Sequence, residues 1–435
     1  MTTASAWDGY LRQARWFGGK GLGARVAGIT PLPWYTPDGS WPAVRSELAE
    51  IAYADGRTEI YQLLVSYLPA GTAPAGLPVG TTTLPGLGDA DIVDAPSHPG
   101  SMAALVRALL TSPPDGMHWS DRTPVDPEAG IRLFTGEQSN TTVMVGQTTL
   151  LKLFRKLEAG RNLDAEVLGA LSGSGITPDL YGLLSSGDYD LALFCQRITG
   201  ITDGWVYATD ACAADRDISS ECAQLGVELR ELHARLADAF GTSTRPGVEL
   251  SADMARRFDE AAEQVHELGE YRHAAHLLFG APTGHDLATQ RVHGDFHLGQ
   301  VLHREASGAS PWVIIDFEGE PLKTLAERRE FDSVWRDVAG LLRSLDYARS
   351  AHPDPDGQEA RQWCTAAREA FLDGYCGEHR AEPALLRAYE LDKAVYEVVY
   401  EVRNRPNWAH IPWRAVQDEA RRVSLNPPAP SDKEQ

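Results

Sequence analysis

The chain has 435 residues, of which 43% are hydrophobic and 23% are charged. This is the composition of an ordinary globular protein, and the length exceeds what one compact core usually holds, so we expect about three structural units. The 40 basic and 61 acidic residues give a formal net charge of -21, which disfavours nucleic acid and anionic membranes as partners.

The N-terminus and the cysteines indicate where the protein works. The opening MTTASAWDGYLRQAR lacks a basic region followed by an apolar core, and no later run reaches the roughly 18 apolar residues that span a bilayer. The five cysteines are odd in number and contain no C-x-x-C pair, so neither a disulfide framework nor a thiolate zinc site is predicted. We therefore expect a cytoplasmic protein, with no membrane association and with reduced, packed thiols.

The first part of the chain is predicted to form a small cap subdomain over residues 1–100. Residues 1–68 mix apolar runs with aromatic-rich stretches, whereas residues 69–100 are dense in Gly, Pro and Thr. We predict that this second stretch is an irregular connection.

Residues 101–200 are predicted to form a lobe of strands with one helix. Three strand-like runs separated by turn residues begin at Ile131, namely IRLFT, TTVMV and TTLLKLF. This order predicts an antiparallel meander. A helical pattern over 162–171 and a strand-like run over 190–198 complete the lobe.

Residues 201–435 are predicted to form a larger, mostly helical lobe. Helical periodicity recurs over 222–240 and 254–268 and again near Ser333, Glu359 and Pro383. Two strand-like pieces, 291–292 and 312–317, interrupt the helices. The tail from Asn426 is too polar and Pro-rich to fold alone.

The segment HGDFHLGQ, residues 293–300, carries the strongest chemical signal. Five positions separate Asp295 from Gln300, and Asp316 follows sixteen positions later at the end of the strand-like run WVIID. In kinases a catalytic-loop aspartate orients the acceptor hydroxyl and accepts its proton, an amide five residues on binds magnesium, and an aspartate after a strand holds the metal. Because phosphoryl transfer requires positioning and charge neutralisation, this spacing predicts an ATP- and magnesium-dependent kinase.

Two alternatives remain open for this segment. Asp295 or Asp316 taken singly is typical of a loop aspartate that caps a turn or ends a strand. His293, Asp295 and His297 alternate along the loop and would suit the metal centre of a hydrolase, since alternate residues of an extended chain point to one side. The hydrolase alternative leaves an upstream lysine and glutamate unexplained.

Those upstream residues predict a nucleotide site. Lys152 lies in the third strand of the meander and Glu166 on the following helix, an order that permits the kinase pair in which the glutamate orients the phosphate-binding lysine. Ser139, between the first two strands, would help to cover the phosphates, and Gln196 and Ile198 would hydrogen-bond adenine. The alternative for Lys152 is an edge-strand lysine that faces water.

A segment near the C-terminus predicts one wall of an acceptor site. Tyr396, Tyr400 and Asn404 recur at helical spacing, with Glu397 and Glu401 beside them. Aromatic faces stack on sugar rings, and carboxylates bind hydroxyls or an ammonium. The alternative is an amphipathic helix with a solvated acidic face.

Taken together, these segments resemble the aminoglycoside phosphotransferase-like kinases, and within them the actinobacterial maltokinases and glucosamine kinases. The resemblance covers most of the chain and rests on RWFGGKG, EQSNTTVMVG, NLDAEV, HGDFHLGQVL, IIDFEGEP, RDVAGLLRSLDYA and DKAVYEVVYEVRNRPNWAHIP. It implies a bilobal, protein-kinase-like α+β fold with an N-terminal cap, an ATP-binding intermediate subdomain and a helical C-terminal lobe that holds the sugar.

The resemblance also implies roles for individual residues. Asp295 would be the catalytic base, Gln300, Asp316 and Glu318 the magnesium ligands, and Lys152 and Glu166 the phosphate-anchoring pair. The expected substrate residues are His297, Asp332, Trp335, Tyr396, Glu397, Tyr400, Glu401, Asn404 and Trp408.

Three positions bear on the choice of acceptor. Gln300 stands where aminoglycoside phosphotransferases usually carry Asn, which favours the maltokinase side. Leu163 and Trp335 depart from the maltokinase pattern, and the indole of Trp335 would either shorten the acceptor groove or pack in the core.

We therefore predict a sugar kinase whose partners are ATP, Mg²⁺ and a small sugar, acting as a monomer or homodimer. Glucosamine, giving glucosamine 6-phosphate, is the first choice, because Glu397, Glu401 and Asp332 would pair with its amine. A maltokinase giving maltose 1-phosphate and an aminoglycoside phosphotransferase are the alternatives. A catalytically inactive binding module would require the loss of Asp295 or Asp316, and both are present.

Overall fold

The structure is a computed structural model that describes residues 3–121, 125–134, 139–280, 284, 286–304, 311–320, 323–377 and 383–425. Tertiary contacts divide the chain into two compact units. The first consists of Met1–Ser172 and Pro178–Thr199, and the second of Gly173–Thr177 and Gly200–Gln435. The first unit contains both the predicted cap and the predicted small lobe, and the division between them at residue 100 stays a prediction.

The first unit begins with a helix that packs on an antiparallel sheet. These elements are α1 Thr3–Leu11, β1 Arg25–Trp34, β2 Ala43–Ala52, β3 Thr58–Pro69, β4 Pro78–Leu84 and β5 Gly88–Asp94. The strand order is β1-β2-β3-β5-β4. Trp7 and Leu11 of α1 join the buried side chains of the strands in one hydrophobic core.

The predicted irregular connection over 69–100 is wrong, because this stretch contains β4 and β5. Their Thr and Val residues have high strand propensity, and β5 satisfies its backbone groups by pairing with both β3 and β4. Several of the Gly and Pro residues that suggested a loop lie in the turns around these strands, and others lie within or at the ends of the strands themselves.

The rest of the first unit forms a second antiparallel sheet flanked by two helices. These elements are α2 Pro99–Thr111, β6 Met117–Trp119, β7 Ile131–Leu133, β8 Thr141–Val145, β9 Thr149–Leu153, β10 Lys156–Leu157, α3 Leu163–Leu171, β11 Leu180–Ser186 and β12 Tyr189–Gln196. The strand order is β6-β11-β12-β9-β8-β7, and β10 pairs with β3 instead. The β7-β8-β9 order confirms the predicted meander. Asn162 begins α3 by accepting a hydrogen bond from the backbone N–H of Ala165.

The second unit is mostly helical. Its helices are α4 Gly204–Ala213, α5 Ser219–Phe240, α6 Gly247–Gln264, α7 Arg272–Phe279, α8 Leu325–Arg329, α9 Trp335–Ala348, α10 Gln358–Cys376, α11 Pro383–Asn404 and α12 His410–Leu425. Its strands are β13 Ile201–Asp203, β14 Thr242–Pro246, β15 Asp286–Gln290, β16 Val301–Arg304 and β17 Trp312–Ile314. They form two antiparallel sheets, β13-β16-β17 and β14-β15.

Two helices form the centre of this unit. The predicted apolar stripe of α5 is buried at Leu225, Leu229, Leu232 and Leu236. Helix α10 packs closely against α5, since a Cβ atom on Gly374 would lie 1.9 Å from the carbonyl oxygen of Ala223. The combination of antiparallel sheets and packed helices confirms the α+β fold class.

Smaller predictions had mixed outcomes. Residues 291–292 are not a strand, because β15 ends at Gln290 and the chain turns into the loop that follows. The five cysteines are free and four of them are buried, as predicted. No helix in the described ranges is long and apolar enough to cross a bilayer. The predicted unstructured tail from Asn426 lies outside the described residues.

Candidate active site

The loop that carries the predicted base, residues 293–300, connects β15 to β16 in the second unit. Gly294 has a φ of +87°, a left-handed backbone angle that glycine adopts without strain. A short 3₁₀ turn, Leu298–Gln300, ends the loop. The Nδ1 atom of His297 accepts the backbone N–H of Gly299 at 3.0 Å and so caps this turn.

Asp337 of α9 holds the start of this loop. Its carboxylate accepts hydrogen bonds from the backbone N–H of His293 at 2.7 Å and of Gly294 at 2.9 Å. The same carboxylate lies 3.0 Å from Nε2 of His233, whose Nδ1 contacts the Tyr375 hydroxyl at 2.9 Å. Burial alone would raise the pKa of Asp337, but the hydrogen bonds from His233 and Gly294 hold it below its ordinary value. The loop is therefore anchored to a buried, ionised carboxylate.

The same face of α9 holds the middle of the loop. A Cβ atom on Gly340 would lie 2.4 Å from the carbonyl oxygen of Phe296, so the absence of a side chain permits this approach of helix and loop. One turn further on, the Ser344 hydroxyl accepts the backbone N–H of Leu298 at 3.0 Å. Asp337, Gly340 and Ser344 have the spacing of residues on one side of a helix, so one face of α9 contacts the loop backbone at three places. In the sequence these residues belong to the segment RDVAGLLRSLDYA, which supported the family resemblance but did not predict a contact with the loop.

Asp295 has a cationic neighbour that was not among the predicted site residues. Nζ of Lys393, on α11, lies 3.1 Å from Oδ1 of Asp295. The Asp295 side chain is 22% exposed, and Nε2 of His297 lies 3.9 Å from its Oδ2. Burial lowers the pKa of His297, so this imidazole is neutral at physiological pH. From the sequence, the only indication that Lys393 belongs to the site is its position within the segment DKAVYEVVYEV.

The predicted metal ligands lie at the end of the loop and just after β17. Nε2 of Gln300 is 3.1 Å from Oδ2 of Asp316, and the backbone carbonyl oxygen of Gln300 accepts the backbone N–H of Ile315 at 3.0 Å. Asp316 has a φ of +66°, an uncommon angle for a residue with a side chain and one that functional loops tend to retain. Glu318 is half-buried two residues further on. Carboxylate and amide oxygens are donors that magnesium prefers, so these side chains fit that ion.

The hydrolase interpretation finds little support in the same loop. Nε2 of His293 lies 3.0 Å from the carbonyl oxygen of Ile315, and its Nδ1 faces the backbone N–H of Asp295 at 3.4 Å. Nδ1 of His297 is occupied by the backbone N–H of Gly299. Both nitrogens of His293 thus contact backbone groups, one in this loop and one just after β17, and are not available as metal ligands.

In the first unit, Lys152 has an acidic partner on α3. Its Nζ donates to Oδ2 of Asp164 at 2.9 Å, and the two side chains are 17% and 5% exposed. The alternative of an edge-strand lysine facing water is wrong, because β9 lies between β8 and β12. The residue predicted for this role is Glu166, two residues after Asp164 on the same helix. The role of Glu166 in orienting Lys152 stays a prediction.

The other predicted nucleotide residues lie at strand ends. Gln196 is the last residue of β12, and its backbone N–H donates to the carbonyl oxygen of Asp179 at 2.8 Å. Ile198 is half-buried just after it, and Ser139 is exposed just before β8. Residues 136–138 of the predicted phosphate loop lie outside the described residues. The roles of these residues in binding ATP remain predictions.

The predicted acceptor wall lies on α11. Tyr396 and Tyr400 lie on one face of this helix, as their spacing predicted, and their rings stack with their centroids 6.5 Å apart. Asn404 ends the helix and donates to the carbonyl oxygen of Tyr400 at 2.9 Å. Beyond the helix, the indole of Trp408 stacks on Tyr347 at 6.2 Å. Rings suited to sugar stacking are therefore present on one segment.

The acidic residues of α11 already have partners. Glu397 accepts two hydrogen bonds from Arg343 at 3.0 and 2.8 Å. Glu401 is 1% exposed and binds Arg405 at 2.9 Å and the Tyr347 hydroxyl at 3.2 Å. The alternative of a solvated acidic face is wrong, because both carboxylates are withdrawn from water into ion pairs.

Two further predicted acceptor residues lie at the start of α9. Asp332 accepts hydrogen bonds from Arg336 and from the Tyr389 hydroxyl, each at 2.9 Å. The indole of Trp335 makes an edge contact with Tyr375, with ring centroids 5.7 Å apart. This contact gives Trp335 a packing role beside the residues that anchor the catalytic loop. Its predicted narrowing of the acceptor groove stays a prediction.

Comparison with known proteins gives a consistent result. The model of the "Phosphotransferase enzyme family" matches residues 130–389. The glucosamine kinase of Streptacidiphilus jiangxiensis is 28% identical, over 73% of this chain and 79% of that protein. The glucosamine kinase of Mycolicibacterium smegmatis is 29% identical, over 72% of this chain and 86% of that protein.

A solved structure shares the fold across nearly the whole chain. It is a glucosamine kinase in complex with glucosamine, ADP and inorganic phosphate, with a TM-score of 0.67 and 20% identity. The superposition covers 95% of this chain and 98% of that one. The shared architecture thus includes the N-terminal sheet that precedes the region matched by the family model.

Proposed function

Because the chain belongs to the phosphotransferase enzyme family, we propose that it is an ATP- and magnesium-dependent sugar kinase with glucosamine as its acceptor and glucosamine 6-phosphate as its product. The observation that carries this proposal is the way in which the loop of residues 293–300 is held by its neighbours. Asp295 lies on a backbone anchored by Asp337, and Gln300 at the end of this loop contacts Asp316, which follows β17. This arrangement supports a base at Asp295 and a magnesium site at Gln300 and Asp316, at the spacing that kinases use.

The transfer step follows from these residues. An acceptor hydroxyl oxygen attacks the γ-phosphorus of ATP, its proton passes to Asp295, and the bond from the γ-phosphorus to the β–γ bridging oxygen breaks to release ADP. Lys152 neutralises phosphate oxygens in this scheme. Magnesium held by Gln300, Asp316 and Glu318 would supply further neutralisation. The protein's contribution is positioning and charge, without a covalent intermediate.

The choice of glucosamine is supported by the two relatives that bear that name. The carboxylates expected to bind its amine give less support, since Glu397, Glu401 and Asp332 each already bind an arginine. Recognition of the amine would require one of these carboxylates to be shared between the arginine and the substrate. Maltose is the second candidate, because Gln300 follows the maltokinase pattern.

A nucleotide-consumption screen tests the acceptor. Glucosamine, N-acetylglucosamine, glucose, maltose and an aminoglycoside would be compared at equal enzyme concentration. We expect the highest kcat/KM with glucosamine, and a value at least about thirty-fold lower with N-acetylglucosamine, which lacks the charged amine. Higher efficiency with maltose than with glucosamine would replace the proposed acceptor with the maltokinase alternative.

Two controls test the chemistry independently of the acceptor. Asp295→Asn should reduce turnover to less than about a tenth of wild type, while thermal melts with and without ATP remain unchanged. A chelator should abolish activity and magnesium should restore it. Activity that depends on tightly bound zinc would instead support a hydrolase centre.

A further inference from the structure

The ammonium group of Lys393 lies between two carboxylates of the second unit. Its Nζ atom is 3.1 Å from Oδ1 of Asp295 and 3.4 Å from Oε1 of Glu320. The Lys393 side chain is 18% exposed, and Nζ lies 5.2 Å from the centroid of the Tyr396 ring, one helical turn further along α11. Lys393 thus connects the predicted base with the helix predicted to form the acceptor wall.

Other charges hold Lys393 in place. Glu320 is 7% exposed and also binds Arg336 at 2.9 Å and Lys323 at 3.1 Å. Burial alone would lower the pKa of Lys393, but the carboxylates of Asp295 and Glu320 raise it above its ordinary value. The side chain therefore stays cationic at neutral pH. Because Glu320 keeps two other cations, removal of Lys393 would not leave it unpaired.

The two oxygens of Asp295 consequently have different surroundings. Oδ1 accepts a charge-assisted hydrogen bond from Lys393, whereas the nearest imidazole nitrogen, Nε2 of His297, lies 3.9 Å from Oδ2, beyond hydrogen-bonding distance. A carboxylate with one oxygen held has a restricted side-chain rotamer and offers its second oxygen to an incoming hydroxyl. Such restriction matters because a catalytic base must lie within hydrogen-bonding reach of the proton it accepts.

We propose that Lys393 is a positioning residue for phosphoryl transfer, which holds Oδ1 of Asp295 so that Oδ2 accepts the proton of the acceptor hydroxyl. The proposal rests on the proposed function, because it takes Asp295 as the base. In the transfer step the proton moves from the hydroxyl to Oδ2, the new bond forms between the hydroxyl oxygen and the γ-phosphorus, and ADP leaves. Lys393 exchanges no proton and acts through Asp295.

Matched variants separate this role from a structural one. Lys393→Met keeps an unbranched side chain of similar length to the methylene stem and removes the ammonium group, and Lys393→Arg keeps the charge. Lys156→Met is the control, since Lys156 lies on β10 and pairs with Glu59 with its side chain 49% exposed. We expect kcat of Lys393→Met to fall by about a hundred-fold with KM for ATP changed less than about threefold, because only base positioning is lost. Lys393→Arg should recover at least about a tenth of wild-type kcat, and the control should match wild type.

A double variant tests whether Lys393 acts through Asp295. If it does, Asp295→Asn and Asp295→Asn combined with Lys393→Met should have the same residual rate, because the effects of residues that act as a unit are not additive. If the double variant instead loses the product of the two single-variant decreases in rate, the residues act independently and the proposal is overturned. The proposal is also overturned if Lys393→Met keeps more than about a third of wild-type kcat while its melting temperature falls. That result is expected when the ion pair contributes only to stability.

The failure of this proposal differs from the failure of the proposed function. A wild-type enzyme that phosphorylates none of the sugars overturns the function, whereas an active wild type with an unimpaired Lys393→Met variant overturns only the role of Lys393. Circular dichroism melts accompany each variant. If Lys393→Met does not fold, Lys393→Gln takes its place with the same expected loss of kcat.

Discussion

Oδ1 of Asp337 accepts the backbone N–H of Gly294 at 2.9 Å, so a buried side chain of α9 fixes the backbone next to the proposed base. Hydrogen bonds to a charged group are stronger than neutral ones, and leaving a buried partner unsatisfied is costly. Because the backbone N–H groups of His293 and Gly294 converge on this carboxylate, stability and catalysis should depend on it together.

Asp337→Asn should therefore reduce both stability and turnover. The amide keeps the shape of the side chain, but it loses the charge and directs an NH₂ group at existing donors, at a cost of roughly 2 to 4 kcal/mol in the free energy of unfolding. We expect kcat to fall at least about tenfold with KM for ATP unchanged, because the base is misplaced. Denaturant unfolding and steady-state kinetics measure the two effects. Asp373→Asn, an exposed position on α10, is the control and should change stability by less than about 0.5 kcal/mol. An Asp337→Asn enzyme with wild-type kcat would contradict the anchoring role.

Gly340→Ala should displace the catalytic loop. The added Cβ atom would lie 2.4 Å from the carbonyl oxygen of Phe296, so helix or loop must move, at a cost of roughly 1 to 3 kcal/mol and with loss of kcat. Gly9→Ala on α1 is the matched control, because nothing lies within 4 Å of its added Cβ. Alanine is the better helix former, so the control should be neutral or up to about 1 kcal/mol more stable. Equal thermal melts for the two variants would show that the close approach at Gly340 is unimportant.

Asp164→Asn should weaken the nucleotide site of the first unit. It removes the charge partner that lies 2.9 Å from Lys152, and the ammonium would then be less well held for ATP phosphates. We expect KM for ATP to rise at least about fivefold with a smaller effect on KM for the sugar, because only the phosphate anchor is disturbed. Glu166→Gln, measured alongside, should have the smaller effect on KM for ATP. The reverse order would show that the pair predicted from the sequence forms when nucleotide binds.

Glu320 should stabilise the second unit in a pH-dependent way. Burial alone would raise the pKa of Glu320, but Arg336, Lys393 and Lys323 lower it below its ordinary value of 4.5. Because the folded-state pKa is the lower one, this stabilisation is fully present above pH 4.5 and is lost as the pH falls through the folded-state pKa. Glu320→Gln should therefore lower the melting temperature most near neutral pH, and the difference from wild type should shrink on acidification. Melting curves recorded from neutral pH to about pH 3 test this, and a constant difference would contradict it.

Local patterns in the sequence were sufficient for several features. The meander of β7, β8 and β9 followed from strand-like runs separated by turn residues. The apolar stripe of α5 and the shared face of Tyr396 and Tyr400 depend on periodicity within one helix, which neighbouring residues determine. The spacing of Asp295, Gln300 and Asp316 was also readable, because kinases carry the base and one metal ligand on one loop and a second metal ligand after a strand further along the chain. Predictions failed where composition was used alone, as in residues 69–100, because strand pairing outweighed their Gly and Pro content.

Only the tertiary structure decided which residues support the site. Lys393 meets Asp295 across 98 positions of sequence, and Asp337 meets Gly294 across 43. Likewise, Glu397 and Glu401 had the spacing of a solvated face, and only the packing of α11 against α9 brought Arg343 to Glu397 and the Tyr347 hydroxyl to Glu401, each across 54 positions of sequence. The sequence by itself determined the mixture of strands and helices and the spacing of Asp295, Gln300 and Asp316, because these follow from local periodicity and from short segments, and its resemblance to a known family implied the bilobal fold. Charge pairing and close helix approach were decided by the fold, because a side chain's partner depends on which elements pack together and not on its neighbours along the chain.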